Sequence, residues 1–161
     1  MYDVFLIAKY IIMRCNENNQ PISNLKLQKI LYFVQAEMLV ARNKPCFLAT
    51  IEAWTFGPVV PQIYRQYRIF GNASIPYVGR DSFGEIRNED RELLNGIIDE
   101  CGQYSASTLV QITHQQSPWR DAYAKGNNSE ITRYSDKVIE WQRASSFHLS
   151  PYFLSFPLQE L

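Results

Sequence analysis

The chain has 161 residues, enough for one domain with a substantial core, and 46% of them are hydrophobic. Its 16 lysines and arginines balance 16 aspartates and glutamates. That balance argues against a surface that tracks nucleic-acid phosphates, although a local basic patch stays open. The cysteines, Cys15, Cys46 and Cys101, are far apart and odd in number, so we expect buried thiols rather than a disulfide framework.

The first predicted element is a helix over about residues 2–16. Its apolar run is interrupted by Lys9 and Arg14 and is shorter than the roughly 20 residues that span a bilayer. Asp3 stands where a secretion signal would be basic. We therefore expect a core helix and a cytoplasmic protein.

A second helix is predicted over about residues 24–42, with Ser23 as its N-cap. At about 100° per residue, its apolar side chains fall on two opposite arcs, separated by narrow polar seams. One arc holds Leu27, Ile30, Leu31, Val34, Met38 and Ala41; the other holds Leu25, Tyr32, Phe33, Ala36, Leu39 and Val40; the seams hold Gln28, Gln35 and Arg42, and Lys26 with Glu37. A helix that is apolar on two faces is buried on two sides, which makes this one the predicted centre of the fold.

The middle of the chain alternates turns with short elements. Residues 45–54 favour a brief extended segment that leads into a turn at 56–59. Pro61 and Gly71 mark the start and the end of a third helix. Residues 72–87 are rich in turn formers, and we expect a loop or a small hairpin there.

Four further helices complete the expected fold. Asn88 and Ser105 are the predicted N-caps of the fourth and fifth, and Ser117 that of a short sixth. The predicted bounds are about 88–102, 105–116 and 119–124, with a last helix that begins at 135–136. The fold class is therefore mainly α: a compact bundle of about six to seven helices around the central helix 24–42, with a short extended segment or small hairpin.

The last 15 residues differ from the rest of the chain. Pro151 and Pro157 exclude a continuous helix there. The segment is nevertheless too apolar to remain solvated, so either a partner or the chain's own core must cover it. We predict a single domain over residues 1–146 and an apolar tail over 147–161.

Few residues are candidates for chemistry. His114 is the one histidine inside the domain, and a lone histidine at a helix end usually has a structural role. No nucleophile motif surrounds a serine, and no phosphate-binding glycine loop is present. A metal site would require Cys15, Cys46, Cys101 and His114 to converge from four separate elements. We predict a protein that is not an enzyme and has no catalytic residue, metal site or cofactor.

Aromatic residues and arginines are the candidates for contact with a partner. Tyr, Trp and Arg are the usual anchors of protein interfaces, although packing in the core explains many of them equally well. The predicted partner-binding residues are Trp54, Phe56, Tyr64, Arg65, Tyr67, Arg68 and Trp119 in the domain, and Phe147, Tyr152, Phe153 and Phe156 in the tail.

Three stretches together resemble a known family. Residues 22–33, with the sequence Ile-Ser-Asn-Leu-Lys-Leu-Gln-Lys-Ile-Leu-Tyr-Phe, are similar to a polar cap followed by L-K-L-Q-K-L-L-Y. Residues 52–68 are similar to an E-A-W…G-P-V-x-P-x-x-Y block, and residues 113–119 to a weaker T-H…x-P-W ending. In order and spacing these resemble the Panacea domain of SocA-like antitoxins, over about residues 1–126.

The resemblance implies an antitoxin of a toxin–antitoxin pair, or a related protein of phages and mobile genetic elements. Members of this family neutralise a cognate toxin by direct contact, and one branch is an adaptor that delivers the toxin to a protease. The shared residues, Leu27 and Leu31 among them, are then expected to define the scaffold, and the variable surfaces to define specificity.

Several alternatives remain open at this stage. A DNA-binding regulator of a phage or mobile-element operon would need a local basic patch, for which Lys26, Lys29, Arg65 and Arg68 are the candidates. The tail either contacts the toxin or folds back onto its own domain. A homo-oligomer is compatible with the sequence.

Overall fold

The computed structural model describes residues 1–131, and these form a mainly helical fold with one small antiparallel sheet. In chain order the elements are α1 (Val4–Glu17), α2 (Asn24–Arg42), β1 (Glu52–Trp54), β2 (Gly57–Val59), α3 (Pro61–Tyr67) with a 3₁₀ turn (Arg68–Phe70), α4 (Asn88–Gly102), α5 (Ala106–His114), α6 (Ser117–Ala124) and β3 (Ser129–Glu130). The predicted fold class is confirmed. The predicted helix at 135–136 and the tail 147–161 lie outside the described residues.

Helix α2 is the centre of the fold, as its two apolar arcs predict. The hydroxyl of Ser23 accepts a hydrogen bond from the Lys26 amide at its start, and Asn43 ends it with a left-handed φ of +53°. The helix packs against α1, α4, α5 and β2. Most of both arcs is buried, with Leu27, Leu31 and Phe33 fully inaccessible, whereas Val40 and Ala41 at the C-terminal end are exposed.

Helix α1 packs against α2 and α4. Asp3 caps its start by accepting a hydrogen bond from the Phe5 amide. Near its other end Arg14 forms a bidentate ion pair with Asp99 of α4, with contacts of 2.7 and 2.8 Å. Within residues 1–131 no helix is both long and apolar enough to cross a membrane.

The segment after residue 45 forms a hairpin with its turn at residues 55–56, so residues 57–59, predicted as part of the turn at 56–59, are instead strand β2. Strands β1 and β2 pair in antiparallel register, with Trp54 opposite Gly57 and Glu52 opposite Val59. Gly57 has a φ of +99°, a conformation that side-chain-bearing residues rarely adopt. A third strand, β3, pairs with the other edge of β1. Sequence analysis missed β3 because two residues are too few to show alternation.

The cap predictions for later helices are partly wrong. Arg87 rather than Asn88 precedes α4, without a side-chain capping bond, and Gln116 rather than Ser117 precedes α6. Ser105 is confirmed as the cap of α5, where its hydroxyl accepts from the Thr108 amide. The predicted loop at 72–87 is confirmed as irregular backbone. The thiols of Cys15, Cys46 and Cys101 are free and buried, as expected.

Candidate partner-binding surface

The lysines of the α2 motif are internal, so the predicted patch of Lys26, Lys29, Arg65 and Arg68 does not form. Lys29 is fully buried and its ammonium donates to the carbonyl oxygen of Pro58 at 2.8 Å. Lys26 is 6% exposed and donates to the carbonyl of Gly102 at 2.7 Å. Both lysines therefore hold neighbouring elements against α2 instead of facing a polyanion.

The contact between Lys29 and Pro58 has an electrostatic cost. Desolvation by burial lowers the pKa of Lys29 from 10.5 to about 7, because the protein interior disfavours the charged form. Pro58 has no N–H to give to the sheet, and its carbonyl oxygen finds a donor in the lysine. This pair fixes β2 on the side of α2.

The glutamines of the α2 polar seam also bind backbone. Gln28 accepts from the Val60 amide at 2.9 Å and donates to Asn24, whose own amide donates to the carbonyl of Tyr64. Gln35 accepts from the Cys46 amide at 2.7 Å and donates to the Phe47 carbonyl at 2.9 Å. Backbone groups buried away from water need such partners. The seam therefore anchors the loops on either side of the hairpin.

Aromatic rings support the hairpin from its other side. The indole of Trp119 donates to the carbonyl of Trp54 at 2.8 Å, and its ring stacks between His114 and Tyr123 at centroid distances of 4.1 and 4.6 Å. Trp119 is only 9% exposed. The residue is therefore a support beneath the surface rather than an exposed anchor.

His114 has a structural contact. Its Nε2 lies 3.1 Å from the carbonyl oxygen of Thr55, and because a carbonyl only accepts, Nε2 carries the proton. Burial is the main cause that lowers the pKa of His114. The hydroxyl of Thr113 donates to the Val110 carbonyl and is not paired with the imidazole. Within residues 1–131, no hydroxyl or thiol group forms a hydrogen bond with the His114 imidazole.

Four residues form what we call the hairpin surface: Trp54, Phe56, Tyr64 and Arg65. Trp54 and Tyr64 pack edge to face at 5.0 Å, and the Trp54 indole donates to Glu52 at 2.7 Å. Phe56, at the tip of the hairpin, is 66% exposed. Arg65 is exposed on the adjoining helix α3. The fold thus brings together four of the predicted partner-binding residues.

The remaining predicted residues lie further along the same segment or outside the described chain. Tyr67 is half-buried and packs near Phe70 at 6.4 Å, while Arg68 is exposed. The tail residues Phe147, Tyr152, Phe153 and Phe156 lie outside the described residues.

Sequence analysis missed an apolar groove that begins where α3 ends. It encloses about 570 Å³, and its lining includes Tyr67, Ile69, Phe70, Ile75, Tyr77 and Val78. Ile69 is 86% exposed and Val78 is 88% exposed. The sequence contains one indication of this groove. Ile69 lies outside the helix face shared by Ile63, Tyr64, Tyr67 and Phe70, so the helical spacing predicts that it is exposed.

The hairpin surface and the groove present aromatic, aliphatic and arginine side chains to solvent. In the described part of the chain, no three His, Cys, Asp or Glu side chains lie close enough together to hold a metal ion. Charged residues at the start of α4 form ion pairs within the domain: buried Asp90 binds Arg42 and Arg87 at 3.1 and 3.0 Å. What remains open to a partner is the aromatic hairpin tip, exposed arginines and the groove.

Comparison with known families agrees with this scaffold. The family model described as "Antitoxin SocA-like, Panacea domain" matches residues 27–120, from the middle of the α2 motif into α6. The chain belongs to this family. Its Panacea domain is also similar to a curated relative, Antitoxin SocA of Caulobacter vibrioides (strain NA1000 / CB15N), with 32% identity over 152 residues that cover 86% of this chain and 80% of the relative.

These similarities support an antitoxin role at the level of the family. The matched stretch contains Lys29, Gln28 and Trp119, the residues that fix the hairpin, and also the hairpin surface itself. No solved structure gives a significant match to the chain. The Panacea domain is therefore described from its own geometry alone.

Proposed function

We propose that this protein is an antitoxin that neutralises a cognate toxin by direct protein–protein binding at the hairpin surface. The observation that carries the proposal is Phe56, a large aromatic side chain 66% exposed on a tip whose preceding backbone carbonyls, of Trp54 and Thr55, are held by Trp119 and His114. Trp54 lies two residues before it in the hairpin and packs against Tyr64 of α3, which adjoins Arg65 in the chain, and such residues dominate the binding energy of interfaces. Tyr67 and Arg68 extend the contact along α3.

The rigidity of this surface favours binding. Lys29 and Gln28 hold β2 from the α2 side, and Trp119 and His114 hold the backbone of Trp54 and Thr55 from the α5–α6 side. A loop already held in its bound shape loses little conformational entropy on association. An exposed phenylalanine on such a loop is a suitable anchor for a pocket on the toxin.

The experiment is co-expression with the product of the adjacent gene. We expect that product to stop growth when expressed alone, and this protein to restore growth and to copurify with it. Phe56→Ser should abolish rescue without unfolding the domain, since it removes an exposed side chain. Lys44→Ser is the control, because Lys44 is an exposed residue beyond the far end of α2. Full rescue by Phe56→Ser would show that the hairpin tip is not the contact.

Two finer modes of neutralisation are separable by the lifetime of the toxin. If the antitoxin occludes the toxin, the toxin accumulates as a stable complex in rescued cells. If the protein is an adaptor to a protease, the toxin is lost from rescued cells and reappears when the protease gene is deleted. Both modes require a cytoplasmic encounter and the same direct contact, so Phe56→Ser should disrupt either one.

A DNA-binding role is less well supported. Two of the four residues proposed for a basic patch, Lys26 and Lys29, are committed to internal carbonyl groups. Arg65 and Arg68 alone provide few phosphate contacts, and affinity for DNA scales with their number. A gel-shift titration with the upstream operon DNA, at two salt concentrations, would overturn this ranking if it gave a specific complex.

A further inference from the structure

The apolar groove between the 3₁₀ turn and the following loop lacks a cover among the described residues. Ile69 and Val78 come from these two segments and are each more than 85% exposed, although single exposed hydrophobic side chains need no explanation. Here both line one concave groove whose lining also includes Tyr67 and Phe70. A concave apolar site of several hundred cubic ångströms is typical of a place where another group binds.

The same chain contains a segment that suits this groove. Residues 147–158 include Phe147, Leu149, Tyr152, Phe153, Leu154, Phe156 and Leu158, and no Asp, Glu, Lys or Arg. Pro151 and Pro157 prevent the segment from burying these side chains within a helix of its own. An apolar segment of this length requires a surface to cover it.

The charges of the groove are compatible with an uncharged occupant. Lys9 and Asp81 line it as an ion pair at 3.0 Å, so they largely neutralise each other. Arg80 also lines the groove, and it forms no ion pair with any residue of the described chain. The first acidic residue after the apolar segment is Glu160. An occupant that places Glu160 near Arg80 would satisfy that remaining charge.

The segment can reach the groove from where the described chain ends. The 16 residues from Ile131 to Phe147 can span about 50 Å when extended. A compact domain of this size has a radius of gyration of about 14 Å. The connection is therefore about twice as long as this radius even if residues 135–146 form the predicted last helix, so the segment has access to a large part of the surface of the domain.

We propose that residues 147–158 bind in cis in the groove formed by Tyr67, Ile69, Phe70, Ile75, Tyr77 and Val78. This contact is independent of the proposed function, because it exists in the free protein. It is also compatible with a role of the tail in toxin contact.

The test measures how fast a thiol at position 78 reacts with a maleimide in the full-length chain. The reporter is Val78→Cys, and the three native thiols are buried and provide a low background. The reporter is combined with the native tail, with Phe153→Asp plus Phe156→Asp, and with Ser150→Asp plus Ser155→Asp. The serine pair adds the same two charges but keeps the aromatic side chains. A second reporter, Lys44→Cys, is placed in all three tails as a distant exposed control.

We expect the Val78→Cys thiol to react about tenfold more slowly with the native tail and the serine-pair tail than with the phenylalanine-pair tail. The Lys44→Cys thiol should react at one rate in all three. Equal rates for Val78→Cys in all tails would overturn the proposal, and so would protection that disappears on dilution, since that indicates a second copy. If the Val78→Cys thiol is protected only when the toxin encoded by the neighbouring gene is added, the groove binds the toxin instead of the tail. Because the assay uses the free protein, its failure does not affect the rescue experiment.

Discussion

The buried face of α2 and the exposed side of α3 with its 3₁₀ turn use basic residues for opposite purposes. Lys26 and Lys29 point inward and donate to the backbone of other elements, whereas Arg65 and Arg68 are exposed on α3 and its 3₁₀ turn. A buried amine is stable only when an acceptor compensates for its lost hydration. A basic residue in a sequence motif therefore indicates a binding surface only when the structure shows that its charged group does not bind an acceptor inside the protein.

The largest expected effect concerns Gly57, where the two regions meet. A Cβ at this position would lie 2.7 Å from Cε of Lys29 and 2.8 Å from Oγ1 of Thr113, and the φ of +99° is itself unfavourable for alanine. Overpacking and backbone strain together predict that Gly57→Ala lowers the free energy of unfolding by about 3–4 kcal/mol. Urea denaturation measures this change.

Gly71→Ala is the matched control for Gly57→Ala. Gly71 also has a positive φ, of +55°, but no described atom lies within 4 Å of the position that a Cβ would occupy there. Strain alone predicts a loss of about 1–2 kcal/mol. If Gly57→Ala and Gly71→Ala lowered the unfolding free energy equally, the packing of Lys29 against the hairpin would not contribute to stability. The proposed difference between the buried face of α2 and the exposed surface would then be wrong.

The second prediction tests the burial of Lys29 through pH. Its pKa is about 7 in the folded protein and ordinarily 10.5. Between these values the unfolded chain binds one more proton than the folded chain, so stability rises with pH. Relative to Lys29→Met, the unfolding free energy of the native protein should rise by about 1.5 kcal/mol from about pH 7 to about pH 8.5.

The pH effect is measured as the difference in unfolding free energy between the native protein and Lys29→Met, so the contributions of the other titrating groups cancel. Burial also raises the pKa of the Cys15 thiol to about 11, which lowers stability above pH 9 in both proteins alike. Lys44→Met removes an equal charge from an exposed site and serves as the control. Parallel pH curves for native protein and Lys29→Met would mean that the ammonium is not desolvated.

A smaller effect is expected at His114, which supports the hairpin from the other side. Phenylalanine keeps the stacking on Trp119 but removes the bond from Nε2 to the Thr55 carbonyl. His114→Phe should therefore cost about 1 kcal/mol in unfolding free energy and leave growth rescue intact, because Trp119 and Lys29 still hold the hairpin at Trp54 and Pro58. A catalytic histidine would instead cost at least about a hundredfold in activity. Loss of rescue in a stable His114→Phe protein would reopen an enzymatic interpretation.

The sequence predicts the interior of the fold better than its polar anchors. The two arcs of α2 are visible because the spacing of its apolar residues is local, and Ser23 and Ser105 are recognisable caps for the same reason. The roles of Lys26 and Lys29 are not visible, because their acceptors lie 76 and 29 residues away in the chain. The groove was missed for a related reason: Ile69 and Val78 line one groove only after the loop has folded.

Arg65→Glu has the smallest expected effect on stability, and it tests whether the hairpin surface binds the toxin. Arg65→Glu should change the unfolding free energy by less than about 0.5 kcal/mol, as is usual for exposed sites. If the hairpin surface binds the toxin, the same change should weaken binding about tenfold, mainly through slower association at low salt. Lys44→Glu makes the same charge change just beyond the C-terminal end of α2, a helix of 19 residues and about 28 Å whose first turn contacts α3, and should leave binding unaffected. Calorimetry with the purified neighbouring-gene product compares the two, and equal weakening would mean that the toxin responds to net charge rather than to this surface.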